Sequence, residues 1–190
     1  MGHPQTRTER YTYADYLTWP EDTRYELIDG VAHAMAPAPT RSHQLVVVEL
    51  SRQVANALKG GACQTFVAPF DVRLPKAGEA DASVDTVLQP DVLVVCDAAK
   101  LDERGVRGAP DWVAEVLSPA SAGRDQTVKL AAYERAGVPE VWLLHPTDRV
   151  LTIYRMEDGR YGRPHIQEMR GSAAIGVLPE VIVDFDLFTE

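Results

Sequence analysis

The sequence predicts an α/β fold: a mixed β-sheet flanked by helices, with a β-hairpin near the N-terminus. Three observations predict it. Short β-branched apolar runs alternate with helical patterns through the centre of the chain. An Asp29-Gly30 dipeptide divides an alternating segment, RYELIDGVAHAM, as a tight hairpin turn does. Two apolar runs, QPDVLVV at 89–95 and WVAEVLSP at 112–119, each contain one carboxylate that an ordinary core strand should lack.

In chain order, YTYADYLTWPE reads as a short helix, with Thr12 as its cap and Pro20 after its end. The hairpin follows. A helix is expected over about Ser42–Lys59, with Val47, Leu50, Val54 and Leu58 on one face and Gly60-Gly61 as its stop. TFVAPFDVRLP reads as a strand bent or placed at an edge by Pro69, and 76–86 as a polar loop. The two carboxylate-bearing strands come next, joined by a polar connection holding Arg104, Arg107 and Gly108. A second helix is expected over roughly Ala122–Ala136, with SPAS at 118–121 as the turn into it. EVWLLHP is a further strand. LTIYRM and its Asp158-Gly159 turn begin a terminal hairpin, and VLPEVIVDFDLF is apolar enough to pack on the body.

At 190 residues the chain can form one substantial core, and no internal repeat or linker divides it. A single domain over residues 1–190 is expected, with residues 1–11 as a polar tail. No apolar segment resembles a signal h-region or a membrane span, so a cytoplasmic protein is expected. Cys63 and Cys96 stand apart from any metal-binding spacing and read as separate buried thiols without a disulfide. The net charge of −9, from 19 basic and 28 acidic residues, excludes a non-specific nucleic-acid coat protein. A nuclease that gathers carboxylates around a metal is still compatible with it.

The candidate site starts from Asp91, at the mouth of one strand, and Glu115, inside the next. A buried carboxylate without a cationic partner costs several kcal/mol, on the order of the penalty for burying any unpaired charge. Two at neighbouring strand ends point to something positive between them, and Mg²⁺ prefers such hard oxygen ligands. Glu26 lies in the first hairpin strand, on the face of Ile28; it is either a solvated edge carboxylate paired with Arg24 or a further site member. His43 begins the long helix and points toward the body. It is either a buried structural histidine or a group that orients a phosphate, a water or a metal-bound carboxylate. Lys129 lies four residues from both Asp125 and Tyr133. It either pairs with Asp125 on the helix surface or reaches the carboxylates if the helix folds back over Glu115.

YELIDG, SHQLVVVEL, QPDVLVV, AEVLSPAS, the Asp125…Lys129…Tyr133 spacing and GVPEVWLLHP together resemble a restriction-endonuclease family expanded in cyanobacteria and assigned to the PD-(D/E)XK nuclease superfamily. The resemblance covers most of residues 12–188. It implies a restriction-endonuclease-like core, with Glu26, Asp91 and Glu115 forming a site beside His43 and Lys129. The usual lysine two residues beyond the second acidic residue would fall at Leu117, and the resemblance places a migrated lysine at Lys129.

The leading expectation is therefore a Mg²⁺- or Mn²⁺-dependent endonuclease acting on DNA, with Asp91, Glu115, the Val116 carbonyl and Glu26 as metal ligands. A homodimer is expected, with VIVDFDLF as a contact surface. Two other readings stay open: a non-catalytic relative that binds DNA or a protein, and a structural protein whose carboxylates pair with Arg104, Arg107 or Arg124.

Overall fold

A computed structural model describes residues 10–20, 24–35, 38–118, 123 and 125–188, the Asp125 side chain excepted. Helix α1 (Tyr13–Tyr16) is capped where expected: the Thr12 N–H donates to Asp15 Oδ2 at 2.9 Å. Strands β1 (Tyr25–Ile28) and β2 (Val31–Ala34) form the hairpin. Its turn places Asp29 at φ 48° and Gly30 at φ 75°, the left-handed pair a two-residue hairpin loop requires. Thr40 caps α2 (Arg41–Ala57) by accepting from the His43 N–H at 3.3 Å. The buried stripe of this helix is His43, Val46, Leu50 and Val54, one residue over from Val47 at its second position. Gly60, at φ 85°, follows it.

The TFVAPFDVRLP segment is two strands rather than one. β3 (Gln64–Val67) and β4 (Val72–Arg73) lie in different sheets, and Pro69, which cannot donate to a ladder, stands between them. The chain continues through β5 (Val87–Leu88), β6 (Val92–Val95), β7 (Leu101–Asp102), β8 (Gly105–Arg107) and β9 (Trp112–Val116). The polar connection between the carboxylate-bearing strands contains the β7–β8 hairpin, and Arg107 in it pairs with Asp81 at 3.3 Å. A π-helical turn, Asp125–Lys129, leads into α3 (Leu130–Ala136), which ends at Gly137 with φ 81°. The start expected at Ala122, most of the SPAS turn and Arg124 lie outside the described residues. β10 (Glu140–His145), β11 (Val150–Glu157), β12 (Arg160–Tyr161), β13 (His165–Glu168), β14 (Ser172–Ile175) and β15 (Leu178–Asp184) complete the order.

The mixed central sheet runs β12-β11-β10-β9-β6-β3, with β13 also on β11. β9 is parallel to β10 and antiparallel to β6. All five β9 residues are buried, because helices cover both faces. Trp112, Ala114 and Val116 face the cluster formed with α2, while Val113 and Leu117 face the cluster formed with α3. Glu115 therefore points toward α3. A second sheet, β2-β1-β5-β4-β8-β7, carries the hairpin and was not legible in the sequence. The C-terminal segment spends Val181, Val183 and Phe185 on the α2 side of the chain's own core, leaving Ile182 exposed. Among the described residues, no helix is long and apolar enough to cross a membrane.

The cysteine expectation is overturned: Cys63 and Cys96 form a disulfide. Antiparallel β3 and β6 pair Gln64 with Val95, so the flanking cysteines are opposite each other at the next position. Their separation of 33 residues hid this pairing in the sequence. Disulfides persist chiefly in oxidising compartments. We expect reduction to lower stability to urea by about 2–4 kcal/mol, an effect reproduced by Cys63→Ser. Iodoacetamide labelling of both cysteines without reductant, read by mass spectrometry, would contradict the bond.

Candidate functional site

The site lies at the seam between the two sheets. β5 belongs to one sheet and β6 to the other, and Gln89-Pro90-Asp91 carries the chain across. Proline has no N–H to leave unsatisfied at such a crossing. Glu26 arrives from β1, in the smaller sheet. Glu115 arrives from β9, at the centre of the larger one.

Lys129 joins them. Its Nζ is 2.6 Å from Glu115 Oε1 and 3.0 Å from Glu26 Oε1. All three side chains are at least 96 % buried. The reading of Glu26 as a solvated edge group is thereby overturned, and Arg24 instead donates to the Gln89 side chain. Lys129 is on the inner face of its helical turn rather than in a surface ion pair. Leu117, two residues beyond Glu115, is buried against the α3 side.

Two further groups fix the carboxylates. The Tyr133 hydroxyl, one helical turn beyond Lys129, donates to Glu115 Oε1 at 2.6 Å. The Gln89 N–H donates to Glu26 Oε1 at 3.0 Å. Tyr133 was foreshadowed by its spacing of four from Lys129; no signal in the sequence marked the backbone of Gln89. The Gln89 side chain continues outward, donating to Asp71 Oδ1 at 2.8 Å and to the Tyr16 hydroxyl at 3.1 Å. Burial raises the Asp71 carboxyl above its ordinary range, opposed by the hydrogen bonds from Gln89 and Tyr16. Burial, with Asp71 beside it, also raises the Tyr16 hydroxyl.

Asp91 forms the outer edge. Its Oδ2 accepts from the Val116 N–H at 2.8 Å and lies 3.3 Å from His43 Nε2. Asp91 is 20 % exposed and His43 11 %, so the site opens on their side and closes at Lys129. The β6–β9 register sets Asp91 beside Glu115: Val92 pairs with Ala114, so the preceding residue falls opposite the following one. The contacts close a ring, from Glu26 through Gln89 and Asp91 to Val116 and Glu115, and back through Lys129.

In formal charge, Glu26, Asp91 and Glu115 outnumber Lys129 three to one. Among the described residues, no three His, Cys, Asp or Glu side chains converge closely enough to hold a metal ion between them. Asp91 and Glu115 each offer hard oxygen donors. Two carboxylates suit Mg²⁺, which completes its octahedron with waters and substrate phosphate.

Residues 13–184 match the family described as "Uma2: Putative restriction endonuclease". An uncharacterized protein of Synechocystis is 27% identical over 147 residues, which span 76% of this chain and 73% of that protein. A crystal structure described as a putative nuclease belonging to DUF820, from Anabaena variabilis, superposes with a TM-score of 0.69. It is 20% identical, and the match covers 90% of both chains. That likeness shows the fold.

Removing Lys129 should leave two buried carboxylates facing each other. Lys129→Met is expected to cost about 3–5 kcal/mol in urea unfolding, with part regained when Glu26→Gln and Glu115→Gln are added. A Lys129→Met protein as stable as the parent would show that the ammonium does not hold the ring.

Proposed function

Because the chain belongs to the Uma2 family of restriction-endonuclease-like proteins, we propose that it is a Mg²⁺- or Mn²⁺-dependent endonuclease that hydrolyses phosphodiester bonds in DNA. The observation that carries this reading is Lys129 Nζ lodged between Glu26 and Glu115, with Asp91 on the Val116 N–H at the open side. A structural ion pair needs one carboxylate for one ammonium. Here a third carboxylate is held in place by the Val116 N–H and by His43, where substrate can reach it.

The donor set fits a divalent cation held by Asp91 and Glu115, with the Val116 carbonyl and Glu26 as further direct or water-mediated ligands. Such an ion, when bound, lowers the pKa of a coordinated water and neutralises charge on the phosphate. The chain's own groups do the rest. Lys129 positions the attacking water and offers an N–H to the phosphoryl oxygen as negative charge grows there. Tyr133 holds Glu115 in its rotamer, and the Gln89 N–H does the same for Glu26. His43, near the mouth, contacts the scissile phosphate and orients Asp91. Hydrolysis forms a bond from the water oxygen to phosphorus and breaks the bond to the leaving sugar oxygen, which gains a proton. Two copies of the chain would supply one site for each strand of a duplex, so a homodimer is part of the proposal.

The test is cleavage of duplex, single-stranded and branched DNA and of RNA, with Mn²⁺. Lys129→Ala, confirmed folded by circular dichroism, is expected to lower cleavage by about 10²-fold or more while keeping metal affinity. Glu115→Gln should weaken both together. A Lys129→Ala protein cutting at the parent's rate would remove Lys129 from the chemistry. A parent that binds divalent metal yet cuts no substrate would favour a non-catalytic binding module.

A further inference from the structure

Arg24 is an exposed cation beside the ring, and the chemistry described above does not use it. It immediately precedes β1, and the Met35 N–H donates to its carbonyl at 2.9 Å, so the hairpin ladder continues through it. Strand geometry puts its side chain on the face of Glu26, with the two Cα atoms about 7 Å apart. Glu26 is buried at that point and Arg24 reaches solvent.

Arg52, Arg73, Arg107, Arg135 and Arg155 each rest on a carboxylate. Arg24 rests on a neutral oxygen: its Nε and Nη2 both donate to Gln89 Oε1, the first at 3.1 Å. Gln89 is buried and its amide is held from the other side, because Nε2 donates to Asp71 and to the Tyr16 hydroxyl. The nearby carboxylate, Asp71, thus takes its side-chain hydrogen bonds from Gln89 and Tyr16 and not from Arg24. Among the described residues, no other side chain accepts from Arg24. A guanidinium carries five N–H groups, so donors are left over. The result is an aimed, exposed guanidinium whose charge no contacting carboxylate cancels.

A charge held in this way suits an anion from outside the chain. Guanidinium forks bind phosphate in a fixed geometry, and phosphate contacts set the register of a nucleic acid on a protein. Gln89 is also the residue whose N–H holds Glu26, and Asp91 follows it by two positions. An anion bound by Arg24 is therefore placed relative to the ring through one short step of chain, stiffened by Pro90. Three carboxylates repel a polyanion, and a fixed cation at their border opposes that repulsion. We propose that Arg24 binds a backbone phosphate of the DNA beside the one to be cut, with Gln89 aiming the guanidinium. The contact touches no base, so it adds affinity and register without sequence preference. The proposal rests on the nuclease reading and deepens it, by naming a cation that seats the substrate.

The probes are fluorescein-labelled duplex and single-stranded oligodeoxynucleotides, titrated with the full chain in Ca²⁺ and followed by anisotropy from about 50 to 200 mM KCl. Arg24→Gln is expected to weaken binding by about tenfold at the lower salt. Its plot of log K against log salt should also be shallower than the parent's by about 0.7–0.9, the loss of one phosphate contact. Arg24→Lys, which keeps the charge, should retain the parent's slope. Arg160→Gln, exposed on β12 at the far edge of the central sheet, should retain it too. A role confined to bracing Gln89 would leave the slope unmoved in every variant, and that result would overturn the proposal. It would equally be overturned by Arg24→Lys losing as much slope as Arg24→Gln, or by Arg160→Gln losing as much. Cleavage is read separately, with Mn²⁺. A parent that binds DNA through Arg24 but cuts nothing sustains the contact and removes the nuclease reading. A parent that cuts DNA while Arg24→Gln keeps its slope and KM removes the contact and leaves that reading standing. A parent that neither binds nor cuts removes both.

Discussion

One buried ammonium ion holds two sheets together at the site. Lys129 is the counter-charge for Glu26 from the smaller sheet and Glu115 from the larger, and without it neither carboxylate could be buried at acceptable cost. The other features of the site serve that arrangement. The π-helical turn brings Lys129 to the inner face just before α3 begins, and the first turn of α3 brings Tyr133 to Glu115. A ring closed by hydrogen bonds on both sides of the ammonium leaves each carboxylate little freedom to rotate. This is the preorganisation that electrostatic catalysis requires, because the groups need not rearrange as charge develops.

The seam explains why a site forms here rather than within either sheet. Gln89, Pro90 and Asp91 occupy the step where the chain leaves one sheet and enters the other. Ladder pairing stops there, so backbone donors become available to side chains: the Gln89 N–H takes Glu26, and the Val116 N–H at the end of β9 takes Asp91. The same step leaves Asp91 partly exposed while Glu115 stays deep. A gradient from accessible to buried results, running from His43 and Asp91 to Lys129.

Much of this was legible in the sequence, for a physical reason. Strand runs and carboxylates in the wrong company are local signals: Glu115 among Val113, Val116 and Leu117 could not be an ordinary core residue, and Asp29-Gly30 could only be a turn. The hairpin, the long helix and the central strands followed from such signals, together with the family resemblance, and the contacts of Lys129 with Glu26 and Glu115 match one of the two readings its spacing left open. Non-local pairings were not legible. The Cys63–Cys96 bond depends on the β3–β6 register, and the second sheet depends on two- and three-residue strands too short to show periodicity. One of the two readings of Glu26 paired it with Arg24. Tertiary packing gave Arg24 to Gln89, 65 residues away.

The central claim is that the ring is a divalent-metal site and not only a structural ion cluster. Calorimetric titration of the full chain with Mn²⁺, compared with Asp91→Asn, tests it most directly, because Asp91 is partly exposed and its substitution need not disturb the buried Lys129 contacts. The account expects one class of binding at millimolar metal or below, weakened by at least about tenfold in Asp91→Asn, a change equivalent to losing one ligand charge. No heat at millimolar Mn²⁺, or equal affinity in the two proteins, would contradict it.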